Sequence, residues 1–248
     1  MIHKLLIVNL FLLGLLCATA SAQSPDGLSP VQAGLAEARA ALADGDQARA
    51  VEALQSLFDN GFSGVGLILA DPALSALAGN PAFDQLVTDM SRKAFPCEHD
   101  PAFAEFDFWL GDWDVHLANG TFAGTNRIHR EQRGCVLIEN WSSASGGSGT
   151  SINYVDKTDG RWVQIWNDAS GSQIHIRGGM TKDGMLLEGT IHYVATGLTS
   201  PFRGLWTPLE DGRVRQYFEQ SNDGAATWVP WFEGFYTRRS GDQEGTVQ

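Results

Sequence analysis

Two periodicities divide the chain. Between residues 30 and 95 apolar positions recur at helical spacing, with Leu35, Ala38 and Leu42 on one stripe and Val51, Leu54 and Phe58 on another. Asp44-Gly45-Asp46 separates the stripes, which predicts a helical hairpin ending near Gly61. Asp71-Pro72 and Asn80-Pro81 each set a capping side chain before a proline at the first helical position. They predict a short helix over 72–78 and another over 81–94, with Leu74, Leu77, Phe83 and Leu86 on the apolar faces. A single hairpin cannot bury its own stripe, so this segment is expected to pack on the rest of the chain or on a protein partner. From residue 110 the period changes to two. Aromatic and β-branched runs begin near 112, 121, 134, 149, 161, 172, 185, 201, 213 and 227, parted by turn signals such as Asn119-Gly120, Arg133-Gly134 and Asp211-Gly212. Consecutive hairpins without a crossover form a meander, and closing it removes both exposed edges. The predicted fold is mainly β: an antiparallel up-and-down barrel of about ten strands, preceded by a small helical segment.

The ends change the picture of where such a barrel works. Lys4, an apolar run from Leu5 to Cys17 and small residues through Ala22 read as a secretory signal peptide over 1–22. The run is too short for a spanning helix, and no later stretch is long and apolar enough for one. The expected organisation is a leader over 1–22, a helical segment over 23–96, a barrel over 97–239 and a polar tail over 240–248, in a secreted or periplasmic protein. Seventeen basic residues against 29 acidic give a net charge of −12, which becomes −13 without Lys4. This acidity argues against nucleic acid as a partner, because phosphate recognition needs a basic patch. Only Cys97 and Cys135 lie beyond the leader. In an oxidising compartment they fit either a disulfide contributing about 3–4 kcal/mol or two separate buried thiols.

Alternation also sorts candidate site residues onto strand faces without saying which face is inside. Leu137, Glu139 and Trp141 share a face, as do Trp162, Gln164 and Trp166, and Gln216 and Phe218; Arg203 aligns with Leu205. Aromatics on strands commonly form core or cross-strand pairs. Long polar side chains placed inside call for partners. Glu139, Trp141, Gln164, Trp166, Arg203 and Gln216 are therefore the candidate ligand contacts, with an Arg203–Glu139 ion pair as one way to orient a polar ligand group. Three readings follow: a barrel binding a small, partly apolar molecule; a cofactor-free enzyme in the same cavity, with Glu139 as acid or base and Arg203 stabilising negative charge; or an interaction module with a solid barrel. His175 and His192 fall on neighbouring strands, but their spacing has no ligand signature, and no metal site is expected. Asp107, Asp112 and Asp114 lack the spacing of a calcium loop and fit turn capping and an outward face. Ser221 to Trp228 comes close to the Asp-box turn of sialidases, with Ala225 at the expected glycine, and is read as a structural turn. No nucleophile elbow or phosphate loop is present, and no cofactor is implied.

Several of these segments together resemble a family. Phe-Asp-Phe-Trp-Leu-Gly-Asp-Trp-Asp-Val over 106–115, Gly134 to Trp141, Trp162-x-Gln164-x-Trp166, Arg203-Gly-Leu-Trp206 and Arg215-Gln216 are similar to the uncharacterised bacterial DUF1579-type proteins. The resemblance covers roughly 97–239 and implies a calycin-like barrel, related in architecture to lipocalins and nitrobindins, without an activity to carry over. In lipocalins the Trp of the Gly-x-Trp motif packs under an Arg from the barrel's end, which gives Gly111 and Trp113 a structural role with Arg238 or Arg239 as the stacking cation. Haem of the nitrobindin kind would need an axial His near the C-terminal strands, and none follows His192. The helical preface resembles a degenerate tetratricopeptide-type repeat.

Overall fold

The computed structural model describes residues 28–239. The expected leader over 1–22 and tail over 240–248 lie outside the described residues. The chain divides into two compact units, between Ala94 and Phe95.

The first unit contains α1 (Pro30–Ala43), α2 (Gln47–Asp59), α3 (Val65–Leu69) and α4 (Pro81–Ala94), with a 3-10 turn over Leu74–Leu77. Ser29 caps α1 in a capping box with Gln32, and Asp46 caps α2 by accepting from the Arg49 amide at 3.0 Å. Asn80 accepts from the amides of Ala82 and Phe83 at 3.0 and 3.3 Å, fixing the start of α4 behind Pro81. The alternation alone does not reveal α3, which has five residues. Leu54, Ile68, Leu74, Leu77, Leu86 and Met90 are all buried. Of the expected stripes Leu35, Ala38 and Leu54 are buried while Leu42, Val51 and Phe58 are only partly so, and α3, the 3-10 turn and α4 supply further buried apolar side chains.

The second unit is a closed ten-stranded antiparallel barrel. Its strands are β1 (Gly111–Leu117), β2 (Phe122–Glu131), β3 (Val136–Ser143), β4 (Ser148–Asp156), β5 (Arg161–Asp168), β6 (Ser172–Thr181), β7 (Gly184–Tyr193), β8 (Leu198–Pro208), β9 (Val214–Gln220) and β10 (Val229–Arg238). Each strand pairs with the next, and β1 pairs with β10 from Trp113↔Arg238 to Leu117↔Gly234, so no edge is left.

One end of the barrel is plugged by the segment that leads into β1. Phe106 and Trp109 are fully buried and stack at 4.9 Å, and Phe106 meets Trp162 and Trp206 edge-on at 5.6 and 5.3 Å. The plug is fastened by the Cys97–Cys135 disulfide, by Arg130 to Asp107, by Lys157 to Asp100 at 2.7 Å, and by the Trp162 indole donating to Glu105 at 3.2 Å. Trp113 lies beside it with its Nε1 donating to the Trp109 carbonyl at 2.9 Å. Arg238 covers the Trp113 ring at 4.4 Å and donates to the Leu110 carbonyl at 3.1 Å. Gly111 is required here: its φ is +133°, and an added Cβ would fall 2.5 Å from the Arg238 guanidinium. Arg239 instead pairs with Asp114 at 3.3 Å.

Candidate functional site in the barrel interior

The site is built from one parity of residues along six strands. In β3 the inward positions are Leu137 and Glu139, in β4 Ser151 and Asn153, and in β5 Trp162 and Gln164; β2 adds Asn126, β9 Gln216 and β10 Tyr236. Cross-strand register brings them into one belt. Gln164 donates to Asn153 Oδ1 at 2.8 Å, and Asn153 donates to Ser151 Oγ at 2.8 Å. Ser151 donates to Glu139 Oε2 at 2.7 Å, and Asn126 Nδ2 donates to Glu139 Oε1 at 2.6 Å. The same Asn126 amide reaches the Tyr236 hydroxyl at 3.1 Å, and Tyr236 donates in turn to Gln216. The belt crosses the barrel as a chain of buried, hydrogen-bonded polar groups with a single carboxyl at its centre, in which the buried Asn126 Oδ1 is left without a protein partner.

Below the belt lies the aromatic plug; above it the interior is open. A cavity of about 450 Å³ occupies the half of the barrel away from the plug. Its floor is Glu139, Gln164, Gln216 and Tyr236, and its walls include Trp141, Trp166, Phe218 and Phe232. Trp141 and Phe232 meet in a T-shape at 6.2 Å. Trp166 leans across Gly149, where an added Cβ would sit 2.1 Å from the indole. Its Nε1 is buried and has no protein partner. Ser143, Ser148, Asp168 and Ser170 stand at the mouth. The ladder between β9 and β10 slips between Pro230 and Phe232, and Trp231 there is 40 % exposed at the rim.

The electrostatics follow from this burial. Glu139 is 3 % exposed, and desolvation raises its pKa from 4.5 to about 7, against the hydrogen bonds from Ser151 and Asn126 that favour the carboxylate. Tyr236 is pushed well above its usual value by burial and by the neighbouring Glu139 charge. At the mouth, burial works against the Asp168 carboxylate, yet hydrogen bonds from Ser170 and Ser172 hold it below the usual range.

Of the six candidate ligand contacts, Glu139, Trp141, Gln164, Trp166 and Gln216 all line this one cavity. Arg203 does not. It lies between inward Phe202 and Gly204 on β8, so its side chain is on the outer face, where it donates to Glu219 at 2.7 Å and covers Trp228 at 4.2 Å. The expected Arg203–Glu139 pair is therefore replaced by an Arg203–Glu219 pair outside the barrel. The residues missed from the belt are Asn126, Ser151, Asn153 and Tyr236. Each has the inward parity of its own strand, and carrying the Glu139 face across the hairpins by register would have found them. The opening carboxylates are each beside an arginine: Asp107 with Arg130, Asp112 with Arg127 at 3.9 Å and Asp114 with Arg239 at 3.3 Å. His192 pairs across the ladder with Gln173 and His175 with Thr190, and His192 Nδ1 lies 2.8 Å from the Thr199 hydroxyl. Among the described residues, no group of three or more His, Cys, Asp or Glu side chains is placed to hold a metal ion. The Asp-box-like segment forms a tight turn in which Asp223 accepts from the Thr227 amide and hydroxyl at 2.8 and 2.6 Å, with Ala225 at φ +74°.

No family model matches the chain, and no curated protein matches it. Among the described residues no helix is long and apolar enough to cross a membrane.

Proposed function

We propose that the protein is an exported binding protein of the DUF1579 type that holds one small, partly apolar molecule in the open half of its barrel. The observation that carries this reading is the cavity itself: about 450 Å³ with aromatic walls and a floor of Glu139, Gln164 and Gln216. An apolar enclosure with a few convergent polar groups is the usual form of a small-molecule site. The Cys97–Cys135 disulfide is compatible with the oxidising compartment that export would provide. Native mass spectrometry of the freshly purified full chain, before and after adding the neutral fluorophore N-phenyl-1-naphthylamine, tests the reading. One molecule retained per chain is the expected result; a chain that retains neither a copurified compound nor the probe contradicts it.

A second reading keeps one specific observation in its favour. A buried carboxyl poised near neutrality is suited to moving protons, so Glu139 would be the acid or base of a cofactor-free reaction in the same cavity. Arg203 drops out of that mechanism because it faces outward. Glu139→Gln abolishes turnover in the enzymatic reading and only changes affinity in the binding one. The open cavity removes the ground for a solid-barrel interaction module, while the helical unit remains the place proposed for a protein partner.

A further inference from the structure

The charge distribution around the cavity says more about its occupant than its size does. The titratable side chains that line it are Glu139, Asp168 and Tyr236; the lining contains no Lys, Arg or His. The arginines of neighbouring strands face outward beside acids: Arg127 near Asp112, Arg177 with Asp156, Arg203 with Glu219 and Arg215 with Glu233. The buried Glu139 carboxyl thus receives only neutral donors, from Asn126 and Ser151. A buried carboxylate without a counter-charge is costly. The protein supplies none from its own side chains among the described residues. A ligand acid would add a second negative charge beside the first.

We propose that the occupant is an organic cation: a protonated or quaternary ammonium set against Glu139, carried on an apolar body lodged between Trp141, Trp166, Phe218 and Phe232. The proposal rests on the binding reading above and narrows it to one chemical class. Aromatic faces present negative potential to a cation, and a desolvated site strengthens that attraction. The carboxylate supplies charge-assisted hydrogen bonds to an ammonium N–H. Asp168 adds a second negative charge at the mouth, and a net charge of −12 favours the approach of cations over anions.

Binding then depends on the ionisation of Glu139. The groups that face it are Asn126 from β2, Ser151 from β4 and, along the belt, Asn153, Gln164, Gln216 and Tyr236. Tyr236 stays protonated and Asp168 stays ionised through the neutral range, because their shifts lie in opposite directions away from it. Glu139 is thus the group of this set that changes charge near pH 7.

Three ligands of one size and different charge test the proposal by calorimetry with the full chain: 4-phenylbutylamine, 4-phenylbutanol and 4-phenylbutyrate. Near pH 8 the amine is expected to bind about tenfold more tightly than the alcohol, with the acid weakest. Near pH 5.5 the amine's advantage over the alcohol is expected to vanish, although the ammonium remains charged. Glu139→Gln is expected to make amine and alcohol equal at both pH values; the wild-type pH series stands without that variant if it folds poorly. An alcohol that binds as tightly as the amine near pH 8, or an amine whose affinity ignores pH, overturns the cation assignment and leaves cavity binding intact. Failure of all three ligands and of N-phenyl-1-naphthylamine overturns both.

Discussion

Glu139 couples the site to the stability of the fold, and the sign of that coupling is fixed. In the unfolded chain its carboxyl titrates near 4.5, and in the folded barrel near 7. Between those values the folded state keeps a proton that the unfolded state has released, so stability falls as pH rises. The contribution is complete below pH 4.5 and lost on passing pH 7, about 3 kcal/mol in all. The carboxyls held below their usual range, such as Asp71, Asp156 and Asp223, act at lower pH and with the opposite sign. Urea unfolding of the wild type between pH 5 and pH 8 is therefore expected to show a decline that Glu139→Gln lacks; parallel curves for the two proteins would place Glu139 in water. Gly149 is the second decisive position. Its missing Cβ makes room for Trp166 on the cavity wall, with a built Cβ 2.1 Å from the ring. Gly149→Ala is expected to cost about 1–3 kcal/mol by overpacking, or to swing the indole and weaken probe binding. An unchanged melting curve together with unchanged affinity would remove Trp166 from the wall.

The elements differ in how much of each was legible. Strand starts and turns followed from alternation and from Gly, Asn and Asp at the turns, since a hairpin leaves those signals locally. The short α3 did not, because five residues carry too little periodicity to register. The direction of each face was the other silent quantity. Alternation placed Gln164 with Trp162 and Trp166, yet only closure of the sheet turned that face inward. Arg203 shows the cost of assigning a face without register: one residue along β8, the inward position belongs to Phe202 or Gly204. The plug was legible as an aromatic cluster before β1, and its function as a stopper comes from burial. Phe106→Ala is expected to lower stability by about 3–5 kcal/mol while leaving probe affinity within about threefold, because Phe106 lies on the far side of the belt from the cavity. Guanidine unfolding and a probe titration check both halves. Replacing Cys97 and Cys135 together by Ala opens a loop spanning 38 residues and is expected to cost about 4 kcal/mol, read as a lower midpoint of chemical unfolding. No loss would show that the loop is held equally well by its other contacts.

At the scale of the whole barrel, closure and cavity share one geometry. The β1–β10 pairing abolishes the edges, and the plug fills one half with packed rings. The belt from Gln164 to Gln216 then separates that solid half from an open one. Its hydrogen bonds offset part of the cost of polar burial, and they leave the Glu139 carboxyl facing the space between the aromatic walls. Turn signals and alternation are local and mark the barrel, whereas the acidic, cation-free lining of its cavity exists only once the ten strands are closed. The most direct measurement is a fluorescence titration of the full chain with N-phenyl-1-naphthylamine, excited through the tryptophans of the cavity wall. A saturable, blue-shifted signal at one probe per chain is expected, with energy transfer reduced by Trp166→Phe. A linear, unsaturable rise, or emission identical to that in buffer, would contradict a binding cavity in this barrel.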